Sequence, residues 1–349
     1  MTQHNDFAQK TSNKTLVKEV ADLLEQQQKE INKQRRELES RTDESNQLAA
    51  ANATRLLKAA YVQKFVGKQK TKRSLSFSKT IGNNVSIEKN EDHLFAKRHT
   101  LVHFKSNSVC TWIPKVGCTN MRYSIPLANG AISTPEDIDW VHNNNDSFQG
   151  SNQELLNANY AFVVLRNPYK RLLSFYLDKL CHNDPNESDK SYSHAQNKFN
   201  TNESTSFKDF VRILWRDTEL INADIHVKRQ TDFLVYNQYD DYFCLEDYKN
   251  AVSKIFDTTG LEVIDTRGMG SGNTTHKHEE RTDIDYTWKA SEIGRLLKIG
   301  HKPNIKNMYS DEMCKIVGSL FLTDIMLYLE KIKGSEKEMN YWISRSIQE

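Results

Sequence analysis

Thr111-Trp112-Ile113-Pro114-Lys115-Val116-Gly117-Cys118-Thr119-Asn120 is the stretch that decides how this chain folds. Strand-like residues from Val109 to Ile113 run into a Pro and a Gly, and the stretch closes on Thr119 and Asn120, both good helix N-caps. A strand–loop–helix turn of this kind offers backbone N–H groups and the positive end of a helix dipole to an anion. Lys115, at the start of the loop, adds a mobile cation. The triphosphate loop of kinases and ATPases carries two spaced glycines and closes on Lys-Ser/Thr. Here the lysine comes first and one glycine follows, so the stretch predicts a phosphate site of a different kind, built from Pro114, Lys115, Val116, Gly117, Cys118, Thr119 and Asn120.

A second stretch says which phosphate. Tyr160-Ala161-Phe162-Val163-Val164-Leu165 is an apolar run of β-favouring residues, followed at once by Arg166-Asn167-Pro168-Tyr169-Lys170-Arg171-Leu172-Leu173-Ser174-Phe175-Tyr176. Pro168 suits the first turn of a helix, where its missing N–H is no loss. Arg166 then stands at the strand end and Ser174 on the second helical turn. An arginine fork and a hydroxyl converging there would hold a phosphate monoester.

Together the two stretches resemble the paired cofactor motifs of the sulfotransferases. The first is similar to their loop for the 5′-phosphosulfate, Pro-Lys-x-x-Cys/Ser-Thr. The second is similar to their 3′-phosphate motif, Arg-x-Pro-x-x-Arg-x-x-Ser-x-Tyr. The pattern resembles above all the chondroitin-type carbohydrate sulfotransferases and their bacterial relatives. Asp224-Ile225-His226-Val227-Lys228-Arg229-Gln230 is similar to a family segment Asp-x-His-x-x-x-Gln, and Phe243 to Asp247 resembles a later strand ending in Glu. Asn273-Thr274-Thr275-His276 resembles an Asn-Ser/Thr loop. Tyr309, Asp311, Phe321, Asp324 and Tyr328 resemble the closing helix, with Leu327 where a late Phe is usual. The resemblance runs from about His93 to Leu329.

The resemblance implies a P-loop-like α/β sulfotransferase fold and 3′-phosphoadenosine 5′-phosphosulfate as sulfuryl donor. It implies Lys115 on the oxygen bridging sulfur and phosphorus, the amides of Gly117 to Asn120 on the 5′-phosphate, and Arg166 with Ser174 on the 3′-phosphate. A carbohydrate or glycolipid hydroxyl is the implied acceptor, and the scheme requires no metal. His226, whose side chain titrates in a useful range, is the expected catalytic base, a substrate contact or structural role being the alternative. His142, near Trp140, and Glu246 are the reserves. His276 and His278 provide two metal-ligand types with no third. Cys118 reads as a packing residue, Trp112 and Tyr176 as core aromatics, and Arg171 as either a phosphate contact or half of an ion pair along its own helix. A nucleotide kinase and an inactive scaffold with the same fold are the rival readings. Donor binding and turnover separate them.

The chain has 349 residues, 37% of them hydrophobic, and a net charge of +2. Its mean hydropathy is −0.72. That balance gives no general affinity for polyanions. Nucleic acid is not an expected partner, since no recognised motif accompanies the local basic charge. No apolar run is long enough to span a bilayer and no signal-peptide core is read at the start. The five cysteines are scattered without zinc-ligand spacing, which fits reduced thiols. A cytoplasmic protein is therefore expected. Residues 1–60 read as a helical extension, with Val17, Leu24, Ile31 and Leu38 at heptad spacing: either a solvated helix or a coil giving a homodimer. Residues 61–92 read as a basic linker. From Glu44 to Glu88 there are eight Lys or Arg and no acid between, which suits a linker, a peripheral contact with an acidic membrane surface, or contact with an acidic glycan.

Residues 93–349 form the expected catalytic domain. Strands are predicted over Leu101–Phe104, Val109–Ile113, Tyr160–Leu165 and Tyr242–Leu245. Helices are predicted over Thr119–Pro126, Pro168–Cys181, Ser206–Trp215, Tyr248–Thr259 and Ser310–Ile332. Their alternation predicts a mainly parallel central sheet flanked by helices. Cys181 to Thr205 and Asp265 to Arg281 read as polar excursions without packing.

Overall fold

The computed structural model describes residues 73–76, 86–134, 138, 140–181, 191–267, 269 and 277–346, together with Gln26 and Lys29. The heptad of the helical extension, most of the basic stretch, and Asn273 to His276 lie outside the described residues. Compactness divides the chain into Met1–Thr71 and Lys72–Glu349. The second unit carries the sheet and the helices around it.

Four strands, β1 (Thr100–His103), β2 (Ser108–Thr111), β3 (Tyr160–Leu165) and β4 (Asp241–Cys244), lie side by side in chain order. β1 is antiparallel to β2. The link between them, Phe104 to Asn107, is too short for any other arrangement and turns on Asn107 at φ 48°. β2, β3 and β4 are parallel, with Cys110 opposite Phe162 and Val164 opposite Phe243. Every residue of β3 is buried, as its unbroken apolar run requires of a strand covered on both faces. A second, two-stranded parallel sheet pairs β5 (Glu279–Arg281) with β6 (His301–Pro303). The mainly parallel sheet flanked by helices is thus the architecture the sequence predicted.

The helices are α1 (Glu91–Arg98), α2 (Cys118–Ala128), α3 (Trp140–Asn143), α4 (Asn152–Asn157), α5 (Pro168–Lys179), α6 (Ser191–Phe199) and α7 (Phe207–Arg216). They continue with α8 (Leu220–Ala223), α9 (Tyr248–Thr259), α10 (Ala290–Lys298), α11 (Asp311–Leu320), α12 (Leu322–Lys331) and α13 (Glu336–Ser346). β3 and α9 have the predicted bounds.

Three expectations are corrected. The single helix predicted over Ser310–Ile332 is two, broken at Phe321 (φ −114°, ψ 29°), whose ring is buried. Core packing of that ring outweighs helical continuity. The excursion predicted over Cys181–Thr205 contains α6, anchored by buried Ala195 and Phe199 on one helix face. Phe199 meets Phe175 at 5.4 Å and Phe210 at 5.5 Å. In the second excursion, Thr266 is buried and Glu279–Arg281 forms β5.

Arg73 to Ser76, within the stretch read as linker, also lies against this unit. Leu75 is buried and bridges Tyr236, and Ser76 N donates to the Val235 carbonyl at 2.9 Å.

Candidate active site

The phosphate-loop stretch leaves the sheet at the end of β2. Trp112, Ile113 and Val116 are buried and anchor it, while Lys115 and Gly117 turn it with φ of 68° and 79°. A Cβ on Gly117 would stand 3.1 Å from Leu245 Cδ1, so both the turn and the close approach demand glycine there. α2 starts at Cys118, one residue earlier than predicted, and Gly117 is its N-cap. Thr119 and Asn120 are therefore not caps but first-turn residues. No side chain caps this helix; Asn120 N donates to the Gly117 carbonyl at 3.2 Å, which leaves the amides of Cys118 and Thr119 to an anion. Asn120 supports the loop from below: its buried Oδ1 accepts from Thr266 N at 3.1 Å and Thr266 Oγ1 at 2.6 Å. Cys118 is half-buried and carries a free thiol.

Arg166 follows β3, as predicted, and reaches the same loop. Its Nη1 donates to the Lys115 carbonyl at 2.9 Å, while its Nε is buried without a partner among the described residues. Burial pulls the Arg166 guanidinium below its ordinary pKa, and Glu246 opposes that pull. Its backbone is held by Gln230, whose amide accepts from Arg166 N and donates to Arg166 O, each at 2.9 Å. α5 begins at Pro168 behind Asn167, which caps it by accepting from Tyr169 N and Lys170 N.

Arg171 forms no ion pair on its own helix among the described residues. It is buried and donates to three backbone carbonyls: Pro114 at 3.0 Å, Lys228 at 2.8 Å and Ile225 at 3.4 Å. It thereby ties the phosphate loop to the His226 segment. Ser174 is half-buried on the next turn of α5, between Arg171 at i−3 and Asp178 at i+4, and so on the helix face that meets the loop.

Asp178 completes that face. Its Oδ2 lies 2.8 Å from Lys115 Nζ and 3.4 Å from Lys179 Nζ. Burial would raise the carboxyl, but Lys115 and Lys179, with a smaller pull from His226, hold it well below the usual carboxylate range. Burial lowers Lys115 from its ordinary value, and Asp178 offsets part of that shift.

His226 lies close enough to feel both lysines. Burial lowers its pKa, Asp224 pushes it back up, and Lys115 and Lys179 lower it again. Its Nδ1 bonds Asp224 Oδ1 at 2.8 Å, and Asp224 is itself paired with Lys198 of α6 at 3.2 Å. A neutral imidazole in that pairing carries its proton on Nδ1 and keeps Nε2 as an acceptor.

The structure thus brings together Lys115, Arg166, His226 and the first turn of α2, with Ser174 on the facing helix. Glu246 accepts from Asn167 N at 3.3 Å and Tyr328 OH at 3.0 Å and so braces the start of α5. His142 lies on α3. Trp112 and Tyr176 are core aromatics, Tyr176 OH donating to Thr205 O at 2.9 Å. Among the described residues no group of three or more His, Cys, Asp or Glu could hold a metal ion. Asp178 is the residue that sequence reasoning passed over. Its place four residues after Ser174 was the available signal.

A model of a family described as "Sulfotransferase family" matches residues 98–328. Carbohydrate sulfotransferase 10 of Gallus gallus is 32% identical over 139 residues, covering 32% of this chain and 38% of the relative. Carbohydrate sulfotransferase 10 of Homo sapiens is 30% identical over 136 residues, with the same two shares of 32% and 38%. The match therefore spans little more than a third of the length of these curated relatives. No solved structure matches this chain significantly.

Proposed function

The chain belongs to the sulfotransferase family, and from that premise we propose that it transfers a sulfuryl group from 3′-phosphoadenosine 5′-phosphosulfate to a carbohydrate or glycolipid hydroxyl. The observation that carries the proposal is Lys115 at the mouth of an uncapped helix, its carbonyl held by Arg166 and its ammonium beside α5. The residues fit such a donor. No side chain caps α2, which leaves amides of its first turn for an anion, and Arg166 Nε is a buried donor with no acceptor among the described residues.

When bound, the donor supplies the sulfuryl group and a phosphate leaving group. Lys115 and the amides of Gly117, Cys118 and Thr119 neutralise charge that grows on the leaving side. Arg166 and Ser174 read the 3′-phosphate, which separates this donor from ATP. His226 Nε2 takes the acceptor's proton, with Asp224 fixing the ring. The acceptor class is supported by the names of the relatives. The free thiols of Cys110, Cys118, Cys181, Cys244 and Cys314 support a cytoplasmic setting as part of the same proposal. Self-association through the heptad segment, and a peripheral membrane contact, belong to it as well and are measurable by sedimentation and vesicle binding.

The test is turnover of purified protein with the phosphosulfate donor and a panel of glycans and glycolipids. Lys115→Ala is expected to lower turnover at least about a hundredfold. Arg166→Ala and Ser174→Ala should each weaken the donor about ten- to a hundredfold, the worth of a hydrogen bond to a charged group. That weakening should vanish for a donor lacking the 3′-phosphate. Equal losses with both donors would remove these two residues from 3′-phosphate recognition, and sulfuryl-free turnover of ATP would sink the reading altogether.

A further inference from the structure

We propose that Asp178 is a positioning residue that competes with the donor for the Lys115 ammonium, holding it before the donor binds and recapturing it as the nucleotide product leaves. The inference deepens the reading above and rests on it. Its starting point is the Lys115 Nζ to Asp178 Oδ2 contact of 2.8 Å. The two side chains are only 12% and 24% exposed, which separates them from solvated surface pairs that contribute nothing measurable.

The main chain around the lysine has little freedom. Lys115 sits at φ 68°, a conformation non-glycine residues enter only when held. Arg166 holds its carbonyl at 2.9 Å and Arg171 holds that of Pro114 at 3.0 Å. Motion toward a donor is therefore left to the lysine side chain. Its ammonium is the group the donor needs, and Asp178 already occupies it.

Asp178 is also equipped to let go. Lys179 Nζ lies 3.4 Å from the same Oδ2, so the carboxylate keeps a cation when Lys115 swings away and is not stranded as a buried lone charge. The exchange replaces one anionic partner of Lys115 by another of higher charge. On product release the carboxylate takes the ammonium back, which shortens the life of the nucleotide complex. Lysine has three N–H donors, so the rival arrangement is a bridge in which Asp178 and the donor share the ammonium. The two arrangements give opposite signs.

The experiment uses the full chain and equilibrium titration with 3′-phosphoadenosine 5′-phosphate and with the phosphosulfate donor. Asp178→Asn should bind both on the order of three- to tenfold more tightly, since the competent lysine no longer has to be released first. In steady state the donor KM and kcat should fall together, the mark of slowed release rather than lost chemistry. Asp178→Glu should restore affinity toward the wild type, and Asp178→Ser provides a second neutral variant. In a Lys115→Met background, Asp178→Asn should leave affinity within about twofold, because no lysine remains to be contested.

A ligand-free arm reads the contact itself: trace acylation with acetic anhydride should modify Lys115 several-fold faster in Asp178→Asn. Weaker nucleotide binding in Asp178→Asn overturns the inference in favour of the bridge. Tightening that persists in the Lys115→Met background overturns it in favour of a general field effect, and unchanged acylation overturns the contact. In each of these cases wild-type binding leaves the donor reading standing. Failure of the wild-type chain to bind either nucleotide sinks that reading, and this inference with it.

Discussion

His226 and Asp224 show most directly what single residues decide. Burial lowers the His226 pKa from its ordinary 6.5 and Asp224 resists that shift. A base must be neutral to act, so activity is lost as pH falls through the His226 pKa. The acid limb of kcat/KM should therefore lie below pH 6.5. Removing Asp224 removes an influence that raises this pKa. Asp224→Asn should move the acid limb lower still and reduce turnover on the order of tenfold or more, because the ring loses the partner that sets its tautomer. A pH–rate profile of wild type and variant checks both, and an acid limb that moved upward would rule His226 out as the base. At this scale residue type and local spacing singled out Lys115, Arg166 and His226, which the fold draws into one neighbourhood. Asp178 was not readable as Lys115's partner, since the two meet only when α5 packs across the loop. The three carbonyls held by Arg171 were equally hidden, because an arginine that bonds backbone leaves no complementary residue type in the sequence.

Among the elements, β3 and α5 form the strand and helix on which the site hangs, and both were legible. An unbroken apolar run predicts a strand buried on both faces, and Asn167-Pro168 predicts a cap and a first turn. Asn167 is fully buried, caps α5 with Oδ1, and donates Nδ2 to Glu338 Oε1 at 2.8 Å. Asn167→Ala should cost about 1–2 kcal/mol from the cap alone, seen as a lower urea midpoint with an unchanged slope. A change under about 0.5 kcal/mol would mean that the cap does not hold the helix. α6 was missed because, among its described side chains, two reach the core, too few for a periodic signal in a polar stretch. The break at Phe321 was missed because no Gly or Pro marks it. It arises from packing between distant elements, which local sequence does not encode.

For the molecule as a whole, the sheet and its flanking helices followed from alternation, whereas the closing contact did not. α13 lies beyond the stretch that resembled any motif, yet Trp342 is buried and stacks on Tyr169 of α5 at 4.9 Å and 14°. Glu338, on the same helix, pairs with Lys170 at 2.8 Å. Trp342→Ala should destabilise the protein by about 3–5 kcal/mol, measured by chemical denaturation. Donor affinity of the remaining folded fraction should be close to wild type, and a selective loss of donor binding at full stability would instead place α13 in the site. The Arg171 clamp has a wider consequence. Its guanidinium is lowered by burial only to about 10, and its three acceptors are amide carbonyls that do not titrate. The hydrogen bonds that set the spacing between the Lys115 loop and the His226 segment thus end on groups that do not titrate over the range in which His226 changes charge. Protein and solvent can exchange protons at His226 while the bonds that measure its distance from the loop stay in place, as a ruler keeps its length while the ink on the page changes colour.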